Sequence, residues 1–133
     1  MLKKYSESVR IVFKNYPLKN HKFATNAATA ALSAGRQEKF WEFHDELFKN
    51  HRQLSDKKLN EIARKLDLNE AQFQEDRKDP DIVAKVQADY KEGSKIGVRG
   101  IPSVFVNGRR ISNRDMQTIG SIIEREIKKT KKR

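Results

Sequence analysis

Apolar positions along this chain switch between two periods, and the switches mark its elements. Residues 9–14, VRIVFK, are a β-branched run of strand length, ended by Pro17. From His21 to Ala34 the period becomes helical. Phe23, Ala27, Ala30, Ala31 and Ala34 share one face, small side chains there admit a close neighbour, and Gly35 is placed to stop the helix. Residues 37–50, QEKFWEFHDELFKN, put Phe40, Phe43, His44, Leu47 and Phe48 on one side with Trp41 flanking. This densest aromatic cluster reads as a core anchor, with an exposed partner groove as the other reading.

Local signals punctuate the rest. Ser55 caps a helix carrying Leu59, Ile62, Ala63 and Leu66, and Asn69 with Gln72 has the spacing of a capping box for a short helix ending near Arg77. Asp79-Pro80 starts a helix to about Ile96, with Asp as cap and Pro at the first helical position, which buries Ile82, Val83, Val86 and Tyr90 before Gly97 closes it. Residues 98–112, VRGIPSVFVNGRRIS, then predict a strand at 103–106, a two-residue Asn107-Gly108 turn whose residues tolerate positive φ, and a return strand at 109–112. A last helix from Asp115 to about residue 129 aligns Ile119, Ile122, Ile123 and Ile127. The expected order is strand, five helices, β-hairpin, helix, in one domain over residues 1–133, with neither a repeat nor a Pro/Gly-rich linker.

Composition narrows what this order can do. At 133 residues the chain can bury a proper core, and no apolar run nears the ~20 residues of a membrane span. MLKKYSESVRIVF has no apolar signal core or small-residue cleavage site, so no export address is read in this sequence. The net charge of +11 favours anionic partners, and the tail KKTKKR at 128–133 supplies five of the basic residues. No aromatic-rich basic strand accompanies them, so nucleic acid is expected to bind nonspecifically at most.

Chemistry-bearing residues are sparse. The chain has no cysteine, which excludes a thiol nucleophile, a disulfide framework and a thiolate metal site among these residues. His21, His44 and His51 complete no metal-ligand spacing, and His44 is expected to pack on the apolar side of its helix. Gly97-Val98-Arg99-Gly100 is too short for a phosphate loop and follows a helix rather than a strand. Nothing has the makings of a Ser-His-Asp set, and no metal or cofactor is expected.

Several segments together resemble the DsbA-like thioredoxin-fold oxidoreductases: RIVFKNYPL, AATAALSAGRQEKFWEFHDELFKN, LSDKKLNEIARKLDLN and, above all, GVRGIPSVFVNGRRIS. The similarity covers about residues 9–127 in the family's order. It implies an α/β fold, a partial thioredoxin-like sheet with the DsbA-type helical insertion at about 21–96, followed by the hairpin and last helix at 103–129. It also implies a cis Ile101–Pro102 bond and an extracytoplasmic location. By the same resemblance, Gly100, Ile101, Pro102 and Ser103 form the loop that binds extended polypeptide substrates.

The departure is as informative. In the family, a first strand and a helix opening with Cys-x-x-Cys precede the VRIVFK-like strand. Here only eight residues precede Val9, and MLKKYSES resembles the last turns of that helix. The resemblance therefore implies a domain incomplete at its N-terminus, with the redox pair upstream of Met1 and no thiol exchange by this chain. Three explanations stand: a fragment or a gene start at an internal Met, a naturally reduced relative that kept peptide binding, or a basic interaction module that is not an enzyme and binds peptides or, nonspecifically, nucleic acid. Without the central first strand, Val9–Lys14 is expected either to pair directly with the hairpin or to exchange with a second copy in a strand-swapped homo-oligomer.

Overall fold

The computed structural model describes residues 7–18, 23–98, 103–112 and 116–131. They comprise six helices and one antiparallel pair: α1 (Ala24–Gly35), α2 (Phe40–Lys49), α3 (Asp56–Lys65), α4 (Glu70–Lys78), α5 (Pro80–Lys95), β1 (Phe105–Val106), β2 (Arg109–Arg110) and α6 (Met116–Lys131). The chain divides into two compact units, Lys14–Gly97 and Met1–Phe13 with Val98–Arg133.

The helical unit is built around α1, which packs on α2, α3, α4 and α5. Its alanines explain that position: Ala30 and Ala34 are fully buried and Ala27 and Ala31 nearly so, and side chains that small let four neighbours approach one helix. Phe43 and Phe73, both fully buried with ring centroids 5.6 Å apart, fill the space beyond together with Leu59, Ile62 and Ala63. Buried hydroxyls on α1 are satisfied within the helix, Thr29 donating to the Asn26 carbonyl at 2.9 Å and Ser33 to the Thr29 carbonyl at 2.7 Å.

The helix starts follow the caps. Ser55 Oγ accepts from the Lys58 N–H at 3.1 Å, and Asn69 Oδ1 from the Gln72 N–H at 3.0 Å. Asp79 Oδ1 accepts from the Asp81 N–H at 2.8 Å, with Pro80 in the first turn. The capping box at Asn69 is only half made. Gln72 turns its amide to Asp76, and the Asn69 N–H is taken instead by Gln37 Oε1 from the α1–α2 connection at 2.8 Å.

The helix stops differ from expectation. Gly35 is the last residue of α1, not the residue that turns the chain. Glu38 takes the left-handed conformation (φ 62°), while the Lys39 N–H reaches back to the Ala34 carbonyl and the Glu38 N–H to the Gly35 carbonyl. These are the two bonds of a Schellman motif, and Asp67 (φ 57°) makes the same motif after α3. Gly35 serves close approach: a Cβ there would stand 3.3 Å from Phe40 Cβ.

Two further expectations are corrected. Residues 9–14 form no strand, and the ladder holds β1 and β2 alone among the described residues, so the segment has not moved onto the hairpin. A strand exists through its ladder, and among the described residues no ladder includes this segment; Ile11, Val12 and Phe13 are 45%, 58% and 41% exposed. The aromatic face of α2 is also split. Phe43 is in the core, whereas Trp41 and Phe48 are 45% and 64% exposed and His44 lies half-buried between them.

Candidate functional site

The hairpin is built from the sequence outward. Asn107 (φ 48°) and Gly108 (φ 83°) take the two left-handed positions of a tight turn, which sets the register Val106 to Arg109 and Phe105 to Arg110. The Ile111 N–H donates to the Val104 carbonyl at 2.9 Å and carries the pairing one step further toward the predicted loop. Opposed residues share a face, so each face of the hairpin carries one arginine; on one of them the Arg110 guanidinium lies 5.5 Å above the Phe105 ring.

Of the four residues expected to bind an extended polypeptide, Ser103 is half-buried and directly precedes this ladder. Gly100, Ile101 and Pro102, and with them the expected cis bond, lie outside the described residues.

The turn is tied to α6. Asn107 Nδ2 donates to Glu126 Oε2 at 3.3 Å, and Glu126 Oε1 stands 3.6 Å from Lys129 Nζ. The Asn107 hydrogen bond, with the charges of Lys129 and Arg109, holds the Glu126 carboxyl below its ordinary range. Sequence reasoning found Asn107 as a turn residue and missed this second role, which needs a helix 19 residues away.

The other charged side chains brace the helical unit. Arg36 Nη1 spans Asp76 at 2.9 Å and Asp79 at 2.7 Å, which ties the end of α1 to the α4–α5 junction and draws the Asp79 carboxyl down. Glu46 on α2 receives Lys65 of α3 at 2.8 Å and is likewise lowered. His44 Nδ1 lies 3.3 Å from Asp45 and its ring packs edge-on against Trp41 and tilted against Phe40 and Phe48, while His51 Nδ1 meets the Phe48 carbonyl at 2.9 Å. No three His, Cys, Asp or Glu side chains converge to hold a metal among the described residues. No helix among them is long and apolar enough to cross a membrane.

Comparison with known proteins adds a family context. A thioredoxin family model matches residues 1–125. A probable disulfide bond formation protein D of Bacillus cereus is 30% identical over 129 residues, 91% of this chain and 59% of that protein. A Na(+)/H(+) antiporter NhaA 3 of Salinispora tropica is 38% identical over 104 residues, 77% of this chain but 16% of the antiporter. The crystal structure of a thioredoxin-like oxidoreductase from Silicibacter pomeroyi superposes with a TM-score of 0.72 at 25% identity, covering 89% of this chain and 68% of that one. The chain thus spans about a sixth of the antiporter and under two thirds of the Bacillus protein.

Proposed function

The chain belongs to the thioredoxin family, in its DsbA-like branch, and from that premise we propose that it supplies the polypeptide-docking side of a thiol–disulfide oxidoreductase. In this reading Gly100, Ile101, Pro102 and Ser103 present backbone groups, held cis at Pro102, to an extended client segment, which adds alongside β1. The observation that carries it is the hairpin itself. Its ladder begins directly after Ser103, and β1 has a ladder partner on one side only among the described residues, so strand addition has an edge to use.

These residues dock and orient; they do not exchange disulfides. Thiol exchange requires a thiolate, and no residue of this sequence can become one. An extracytoplasmic place of work, where clients are oxidised, belongs to the same proposal.

The test compares one client protein in two states: permanently unfolded by reduction and alkylation, and native. The unfolded form should bind and the native form should not, and insulin disulfides should stay intact in the presence of this chain. Equal binding of both forms, or reduction of insulin by pure material, would overturn the proposal.

A further inference from the structure

The turn between β1 and β2 sets an exposed carboxamide beside an unhindered backbone nitrogen. Asn107 and Gly108 are both exposed and both take left-handed φ, 48° and 83°. A Cβ built on Gly108 would meet no atom within 4 Å, so the space around it is open. The turn closes through Val106 and Arg109, which leaves the Gly108 N–H outside the ladder, and among the described residues no hydrogen bond engages it. Glycine has no side chain to shield that nitrogen. An asparagine followed by glycine is therefore the pair in which the backbone most readily attacks the side-chain amide.

The amide nitrogen at the far end of that side chain is held. Asn107 Nδ2 donates to Glu126 Oε2 at 3.3 Å, and Glu126 stands 19 residues further on, in α6. Attack by the Gly108 nitrogen requires Asn107 Cγ to swing back over it and the backbone torsions to leave the turn. A carboxamide that does so lets go of α6. The bond that ties the hairpin to α6 is thus also a catch on the reaction.

We propose that Asn107 is a self-modification site, where slow, one-way deamidation unties the hairpin from α6. Hydroxide takes the Gly108 amide proton, and the nitrogen electron pair forms a bond to Asn107 Cγ. The Cγ–Nδ2 bond breaks, and Nδ2 takes a proton from water and leaves as ammonia. Water then opens the resulting succinimide at one of its carbonyls. Cleavage of the new bond to Cγ gives aspartate at position 107. Cleavage of the bond to the backbone carbonyl carbon gives isoaspartate, with the chain running through Cγ. Neither product can donate to Glu126, because an ionised carboxylate only accepts and two carboxylates so placed repel. Isoaspartate also lengthens the backbone inside a turn that sets Val106 opposite Arg109 and Phe105 opposite Arg110.

The experiment ages the full chain, Glu126→Ala and Glu126→Gln in mildly alkaline buffer, with the wild type in urea as the reference without a turn. Mass spectrometry of the peptide spanning residue 107 separates amide, aspartate and isoaspartate. The folded wild type should convert, and more slowly than in urea. Glu126→Ala should convert about fivefold faster than the wild type, the worth of one ordinary hydrogen bond. Glu126→Gln keeps an acceptor oxygen and should match the wild type. Cross-strand NMR contacts between Phe105 and Arg110 should fade in step with isoaspartate. Conversion in urea with none in the folded chain overturns the site. Equal rates in the three folded proteins, or a Gln variant as fast as the Ala variant, overturn the role of Glu126 as the catch. Should the Ala change loosen the whole hairpin, its rate will equal that in urea and the Gln variant decides. Cross-strand contacts that persist in isoaspartate-containing protein overturn the structural consequence.

Discussion

Asp89 Oδ2 accepts both the backbone N–H and the side-chain amide of Asn15, each at 3.0 Å, across 74 residues of sequence. The carboxylate is 1% exposed and also receives Lys85 at 2.7 Å, so α5 holds the chain where it enters the helical unit. Burial pushes the Asp89 carboxyl up; the Asn15 N–H, Lys85 and the Asn15 amide together outweigh burial and hold it below the ordinary aspartate range.

A depressed folded-state carboxyl stabilises the fold at pH above its unfolded value of about 3.9, and that contribution is lost as pH falls through the folded value. Asp89→Ala leaves two buried donors of Asn15 unpaired and should cost roughly 2–3 kcal/mol at pH 7. Urea unfolding at pH 7 and at pH 3 checks both statements: the gap between wild type and variant should shrink in acid. A gap that does not change with pH would show that the ionised carboxylate is not the stabilising species.

Glu38 carries a positive φ without being glycine, at the C-terminal turn of α1. Glu38→Gly should remove that backbone cost and raise stability by about 0.5–1 kcal/mol, seen as a higher urea midpoint with an unchanged slope. Gly35→Val should do the reverse by about 1–3 kcal/mol, because its side chain must displace Phe40.

Asn107→Gly keeps a residue suited to the turn and deletes the amide that holds Glu126. The Glu126 carboxyl, lowered first by that hydrogen bond, should then titrate at higher pH. Carbon-detected NMR titration of the Glu126 side chain reads this directly, and an unmoved midpoint would contradict that role of the Asn107 amide.

The exposed Ile11-Val12-Phe13 run should drive concentration-dependent self-association by pairing of Val9–Lys14 between copies. Val12→Lys places a charge on that strand and should shift the sedimentation profile toward monomer. Identical association in wild type and variant would place the contact elsewhere.

What was legible in the sequence was local. Ser55, Asn69 and Asp79-Pro80 announce helix starts because a cap needs only its own next few residues, and Asn107-Gly108 announces the turn for the same reason. The left-handed turn at Glu38 was not legible, since glutamate does not favour that conformation, and Asp67 signals it only weakly. Val9–Lys14 has the composition of a strand, but composition cannot provide a ladder. The α2 pattern gave one broad aromatic face where the structure makes two, because periodicity does not say how wide a neighbour is. The docking loop was legible only as a family likeness: of its residues the described structure includes Ser103.

Docking of extended polypeptide at the segment around Pro102 can be read residue by residue through the backbone amides. Isotope-labelled protein is titrated with an unfolded, alkylated client and amide shifts are followed residue by residue. A contiguous block of shifts is expected over Gly100, Ile101 and Ser103–Val106, with the helical unit little changed. Shifts centred on the exposed Trp41 and Phe48 face of α2, or no shifts at all at saturating client, would contradict it.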